Sequence, residues 1–490
     1  MTDIIRPKER DAVLQSLRSG VVPRTGLRHV QVGRAREVEE VVKDVRRLRD
    51  GGAAFRIVVG DYGSGKTFFL HLARTVALEQ KLVTVHADLS PDRRLHATTG
   101  QARALCAELM RNMSTRTRPD GNALQAVFER FIAEARASAE NSGRTTVEII
   151  NERLSGLREH VGGFDFAHVV GRWAAAFEDG DDETAAAAQR WLRAEYALKS
   201  EARERLGVRT IVDDAGVHDH LKLLSHFVRL AGYEGLLVIL DEMVNLHKLQ
   251  NAQARTANYE QVLRILNDVL QGSAEHFGVF MGGTPEFLAD PRRGLYSYEA
   301  LRSRLAENAF AKGGLLDLSG PVLRLQNLTR EDLFVLLAKL RLVHAGGNPA
   351  NLAIPDEALV AFLRHSEERL GEGSFRTPRT SIKAFLDMLA IMDQNPHADW
   401  KALIAGTSLT QDRPPATADI EETMPILAGP SGAPTRSVKA PVSAEASLLP
   451  AGGPLQSGAV TAAVPVQASV GQPQPADADA DDNDFASFRI

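Results

Sequence analysis

The sequence predicts an α/β fold in which a five-stranded parallel sheet carries helices on both faces. Three observations lead there. Over residues 1–410 short apolar runs alternate with longer amphipathic stretches, the pattern of helices packed around a parallel sheet. The runs are short, largely apolar and bounded by Gly, Asp or Pro, as strands covered on both faces are. One run leads at once into a glycine-rich loop and then a helix. At 490 residues the chain exceeds what one core usually organises, so two or more domains are expected.

The elements follow in order. Strands are expected at 55–59, 82–87, 236–240, 278–281 and 322–325, with a helix at 68–79 after the first. Between the second and third strands lie about 150 residues of helical period, rich in alanine and charge, with helices expected at 123–138, 145–157 and 183–206. These form a large helical insertion at about 100–230 within a core assigned to 1–328. From Thr329, a suitable N-cap ahead of Glu331 and Asp332, the chain reads as helices alone, with others opening at Asp356 and spanning 380–392. Residues 329–405 are therefore assigned to a helical lid. From 411 to 490 the chain is Pro-, Ala- and Ser-rich with no period and ends in acids followed by Phe485, Phe488 and Ile490. Such a segment buries too little apolar surface to offset chain entropy, so a disordered tail is expected. Its tip suits docking on a protein partner as well as plain solubilisation.

Charge and cysteine content exclude several classes. The net charge is −5, and residues 411–490 carry ten acids against four bases, which leaves the remainder near neutral with no global nucleic-acid signature. One cysteine, Cys106, rules out an intrachain disulfide or a cysteine-rich metal site, and a helix-core role is expected for it. The charged N-terminus and apolar runs far short of the ~20 residues of a membrane span point to a cytoplasmic protein with no membrane partner.

The strongest motif is Gly60-Asp61-Tyr62-Gly63-Ser64-Gly65-Lys66-Thr67, which satisfies G-x-x-x-x-G-K-[ST] between a strand and a helix opening at Phe68. A phosphate chain needs several inward amides, which a glycine-rich loop presents without Cβ clashes, and the helix adds its positive end. Lys66 would neutralise the β- and γ-phosphates of ATP, and Thr67 would ligate Mg²⁺. The 236–240 strand then delivers Asp241 and Glu242 at the carboxyl edge of the sheet, where ligands of open α/β sheets bind. Asp241 is expected to hold Mg²⁺ through water, and Glu242 to polarise the attacking water. A strand ending in two solvated acids is the plain alternative, and the phosphate loop argues against it.

Residues from three further segments complete a candidate hydrolytic site. Thr284, in Gly282-Gly283-Thr284-Pro285-Glu286 after the fourth strand, suits either a γ-phosphate contact or a helix cap. Arg302 and Arg304 end a helix before the fifth strand, where an arginine can reach a neighbouring subunit's nucleotide or simply complement the helix dipole; Arg304 is preferred for the former. Arg379 at a helix start in the lid, preferred over Arg376, would fold back on the nucleotide.

In this order, with a terminal helical lid, these residues resemble an AAA+ ATPase of the origin-recognition type. The run from Ser19 to Gly26, Val32-Gly33-Arg34 and the phrase from Val59 to Lys66 resemble more narrowly the BrxD-like ATP-binding proteins of BREX-type bacterial phage-defence systems, over roughly residues 6–400. The resemblance implies an ATPase, a homo-oligomer, that acts with defence-system partners such as a helicase and on DNA, directly or through them. It also implies that Val32, Gly33 and Arg34 line the adenine pocket. The chain departs from origin-recognition ATPases at Thr284, where they usually place Asn, and in lacking a winged helix after the lid. A nucleotide-gated scaffold with little turnover and a replication- or partition-type loader are the alternatives.

His218-Asp219-His220 lacks a nearby third ligand, so satisfied histidines are expected. Lys43, Arg46, Arg47 and Arg49 on a helix with Val38, Val41, Val42, Val45 and Leu48 as its apolar stripe read as a solvated face, or as a DNA-backbone contact, as do Arg111, Arg116 and Arg118.

Overall fold

A computed structural model describes residues 5–311, 316–370 and 378–407. The expected tail at 411–490 and Arg376 lie outside the described residues. The chain runs α1 (Pro7–Arg18), α2 (Ala35–Arg49), β1 (Ala53–Val59), α3 (Lys66–Glu79) and β2 (Val83–Asp88). The insertion follows as α4 (Gln101–Arg111), α5 (Leu124–Ser142), α6 (Thr146–Ser155), α7 (Gly163–Asp179), α8 (Asp182–Leu192), α9 (Lys199–Leu206) and α10 (Val217–Leu230). The core resumes with β3 (Leu236–Asp241), α11 (Val244–His247), α12 (Ala252–Leu270), β4 (Phe277–Gly283), α13 (Pro285–Ala289), α14 (Glu299–Arg304) and β5 (Val322–Arg324). The lid holds α15 (Arg330–His344), α16 (Asp356–Leu370), α17 (Pro378–Gln394) and α18 (Trp400–Gly406).

All five strands lie where the apolar runs predict them, and all pair in parallel in the order β2-β3-β4-β1-β5. This order matters for the site. Register sets Val59 beside Gly283 and Leu240 beside Met281, so the segments leaving β1, β4 and β3 emerge side by side at one edge.

Local chemistry explains most helix limits. Thr145 and Glu148 form a capping box on α6, and Thr329 and Asp332 form another on α15. One expectation fails: the predicted helix at 183–206 is two helices, broken at Arg193–Leu198 with Ala194 left-handed at φ 57°. Trp191 and Tyr196 are both buried. Five residues apart on a helix they would point about 140° apart, so the chain turns to bring both inward.

Sheet and insertion share one apolar cluster, in which Phe128 packs on Phe227 at 4.5 Å and edge-on to Trp173 at 5.1 Å. Cys106 lies inside it, its thiol pushed up to about 12 by burial. A second cluster fills the lid around Leu337, Leu340, Phe362 and Phe385. The sequence assigns the N-terminal residues to the core, whereas Ile5, Val13 and Val30 bury in the lid cluster. Helix α1 is otherwise polar, and its narrow apolar stripe finds cover on α15 and α17, where Arg18 Nε meets Asp387 Oδ1 at 2.6 Å. Among the described residues no helix is long and apolar enough to cross a membrane.

Candidate functional site

The phosphate-loop residues leave the buried strand β1 and enter α3 at Lys66. Gly63 and Gly65 take left-handed φ values of 75° and 90°, which a side chain would strain. Gly60 is needed for closeness, since a Cβ there would lie 2.5 Å from Ser64 Oγ. Lys66 Nζ donates to the carbonyls of Gly60 and Asp61, both at 2.8 Å, and so braces the loop. Burial lowers its pKa against the pull of Asp241 and Glu242. The amides of Gly63 and Gly65 meet no acceptor among the described residues. Unpaired amides, an ammonium and a helix N-terminus together make a setting for polyanionic phosphate.

Thr67 Oγ1, on the second residue of α3, donates to Asp241 Oδ2 at 2.6 Å. Asp241 is buried at the end of β3, and its Oδ1 accepts the Glu242 amide at 2.8 Å. Strand β4 lies between β1 and β3, so its end must be thin: a Cβ on Gly282 would collide with Asp241 Oδ1. The hydroxyl of Thr67 and the carboxylate of Asp241 form an all-oxygen pair that fits Mg²⁺. Glu242 stands exposed beside them in a left-handed conformation, φ 57°. Partial desolvation, then Asp241 and Asp88, raise its pKa. Asp88, opposite Asp241 in register at the end of β2, is raised for the same reasons, desolvation first and then Asp241.

The third wall comes from the N-terminal segment and the lid. Gly33, at φ 64°, lies against Asp332 of α15, and Arg34 Nη2 donates to the Ser64 carbonyl at 2.5 Å. Arg379 Nη1 of α17 donates to Tyr62 Oη at 3.1 Å. Leu17, Val22, Val30, Leu328, Leu336 and Ile382 provide an apolar slot. The cavity measures about 690 Å³, within the ~300–1,000 Å³ common for small-molecule sites.

Of the residues singled out in the sequence, Val32, Gly33, Arg34, residues 61–68, Asp241, Glu242, Thr284 and Arg379 line this cavity. Gly60 sits beneath it through its bond to Lys66. Thr284 Oγ1 caps α13 by accepting the Phe287 amide at 3.3 Å while also facing the cavity. The arginines of α14 are not brought to it: Arg302 pairs with Glu299 at 2.7 Å, Arg304 Nη1 donates to Ala300 O at 3.0 Å, and both are exposed. Sequence reasoning gave Glu286 no role and missed Lys248 and His247, the latter bonded to Asp290 at 3.0 Å, along the cavity, and Asp88, which lies next to Thr67 and Asp241 just outside it. Only Asp88 had a signal, an acid ending a strand that neighbours β3.

The histidine pair is structural. His218 Nε2 meets Asp268 Oδ2 at 2.8 Å and His220 Nε2 meets Leu192 O at 3.0 Å. Among the described residues no His, Cys, Asp and Glu cluster could hold a metal ion by itself.

Against known proteins, no curated sequence matches the chain significantly. The model of one family, described as BREX system ATP-binding protein BrxC/D, matches residues 5–408, most of the chain and every element that builds the cavity. The chain therefore belongs to the BREX system ATP-binding protein BrxC/D family, and it is an ATP-binding protein of that defence system.

Proposed function

We propose that this protein hydrolyses ATP in the cavity between core and lid. One observation carries the reading: Thr67 and Asp241 are bonded at 2.6 Å with Lys66 and Glu242 at the same cavity wall. Thr67 and Asp241 would hold Mg²⁺, which when bound offsets phosphate charge. Glu242 orients a water in line with the γ-phosphorus and takes its proton as the Pγ–O bond to ADP breaks, giving ADP and phosphate. Lys66 leaves the Gly60 and Asp61 carbonyls for the β- and γ-oxygens. Thr284 and Arg379 sense the γ-phosphate from opposite sides.

Arg302 and Arg304 are exposed and do not line their own chain's cavity, which suits a role on a neighbouring protomer in a homo-oligomer, Arg304 foremost. The ATP cycle then drives assembly on, or remodelling of, DNA or a partner such as a helicase during phage defence, in the cytoplasm. Glu242→Gln tests the reaction. It should keep ATP affinity and lose turnover by roughly 10²-fold or more, the scale of removing a general base. Wild-type protein that binds ATP without turnover, with or without duplex and single-stranded DNA and at every oligomeric state seen by mass measurement, would favour a nucleotide-gated scaffold.

A further inference from the structure

We propose that Arg34 is a positioning residue for the phosphates and not a reader of the base: it fixes the Ser64–Gly65 peptide so that the Gly65 amide faces the ligand. The inference rests on residues 60–67 being the phosphate site. Arg34 Nη2 donates to Ser64 O at 2.5 Å. In a trans peptide the carbonyl and the following amide point opposite ways, and the described chain has no cis peptide. Holding the Ser64 carbonyl against the guanidinium therefore turns the Gly65 N–H away from Arg34. That amide meets no acceptor among the described residues.

Two features show that the position is imposed. Arg34 itself is left-handed, φ 63°, at the start of α2, a conformation disfavoured for any residue with a Cβ. Its guanidinium packs over Gly65, reaching to 3.6 Å from the point where a Cβ would stand. The charged groups that face it are Glu37 on α2 and Asp332 on the lid helix α15. Arg34 thus ties the start of α2 to the phosphate loop, with Asp332 of the lid acting on it only through its charge, while the apolar slot for the base is built by Val30, Leu328, Leu336 and Ile382.

The test uses the full chain with Arg34→Gly and Arg34→Lys. Glycine prefers the left-handed backbone, so the first variant removes the side chain and relieves strain at once. By calorimetry Arg34→Gly should weaken ATP and ADP by roughly 10–100-fold, the scale of a hydrogen bond to a charged group. The ratio of ATP to GTP affinity, measured by competition, should stay as in the wild type. Arg34→Lys should recover part of the loss. Unchanged ATP affinity in Arg34→Gly, or a shifted ATP to GTP ratio, overturns the proposal. Lys66→Ala separates the underlying reading, because ATP affinity untouched by it would place the phosphates elsewhere.

Discussion

Arg379 Nη1 donates to Tyr62 Oη at 3.1 Å, so one guanidinium ties the lid helix to the phosphate loop. The N-terminal segment closes the other side, where a Cβ on Gly20 would come within 2.6 Å of Arg379 Nε. Three parts of the chain therefore meet on this arginine, and Gly20, at φ 74°, is the residue that makes room. Gly20→Ala should displace the guanidinium and loosen the lid. Hydrogen exchange of the α17 amides should rise while that of β1 and β3 stays put; equal protection of α17 in both proteins would refute the clamp. Tyr62→Phe keeps the ring and loses only the acceptor, so its effect should be the smaller, about 0.5–1.5 kcal/mol.

Gly282 makes a sharper prediction, because its missing side chain is what lets Asp241 turn toward Thr67. Gly282→Ala should push the carboxylate aside and cut ATP turnover at least tenfold while leaving the fold intact, on the scale of about 1.4 kcal/mol per decade. Gly171→Ala is the control. It lies within α7 with nothing in reach of a new Cβ, so it should stabilise by about 0.5–1 kcal/mol. Wild-type turnover in Gly282→Ala would show that the carboxylate's place is not critical.

How much of this was legible in the sequence follows from the range of each interaction. The five strands and the loop from Gly60 to Thr67 are written locally, in apolar runs and in glycines whose backbone angles only glycine takes easily. The break between α8 and α9 was not, since it depends on where Trp191 and Tyr196 find a core. Nothing in the residues of α1 says that the lid covers Val13. The same holds in the site: Asp241 and Glu242 stand beside a diagnostic strand, whereas Asp88 gains its place only from the β2–β3 register, and Arg34 meets Ser64 only once α2 docks on the sheet.

Arg56 is another residue the linear pattern hides, a guanidinium in the middle of the apolar strand β1. Asp44 on α2 answers it, with bonds at 2.6 and 3.0 Å, and both side chains are almost fully buried. Asp44→Ala leaves the buried guanidinium with only the longer ion pair to Glu40 at 3.7 Å, and losing its close carboxylate should cost about 3 kcal/mol. Asp44→Asn keeps an acceptor and should cost less. Urea unfolding at neutral pH measures both; a loss below about 1 kcal/mol for the alanine variant, the size of an exposed pair, would mean that Leu318 O and Gly320 O already satisfy Arg56.

Acid should destabilise the core through its histidines. Burial, with Arg74 adding repulsion, holds His71 at about 4 and His86 at about 3, and burial holds His220 at about 4. All three lie below the ordinary value of 6.5, so the unfolded chain binds protons that the folded chain refuses. Their stabilisation is complete above pH 6.5 and is lost as pH falls toward 4. Near pH 5 each should steepen the fall by roughly 1.4 kcal/mol per pH unit. Glu242 and Asp88 work the other way, because their raised pKa lets the folded state hold protons. The difference between wild type and His71→Asn isolates one histidine: its stability should fall less steeply than that of the wild type between pH 6.5 and 5, and parallel curves would show that His71 takes up its proton without unfolding.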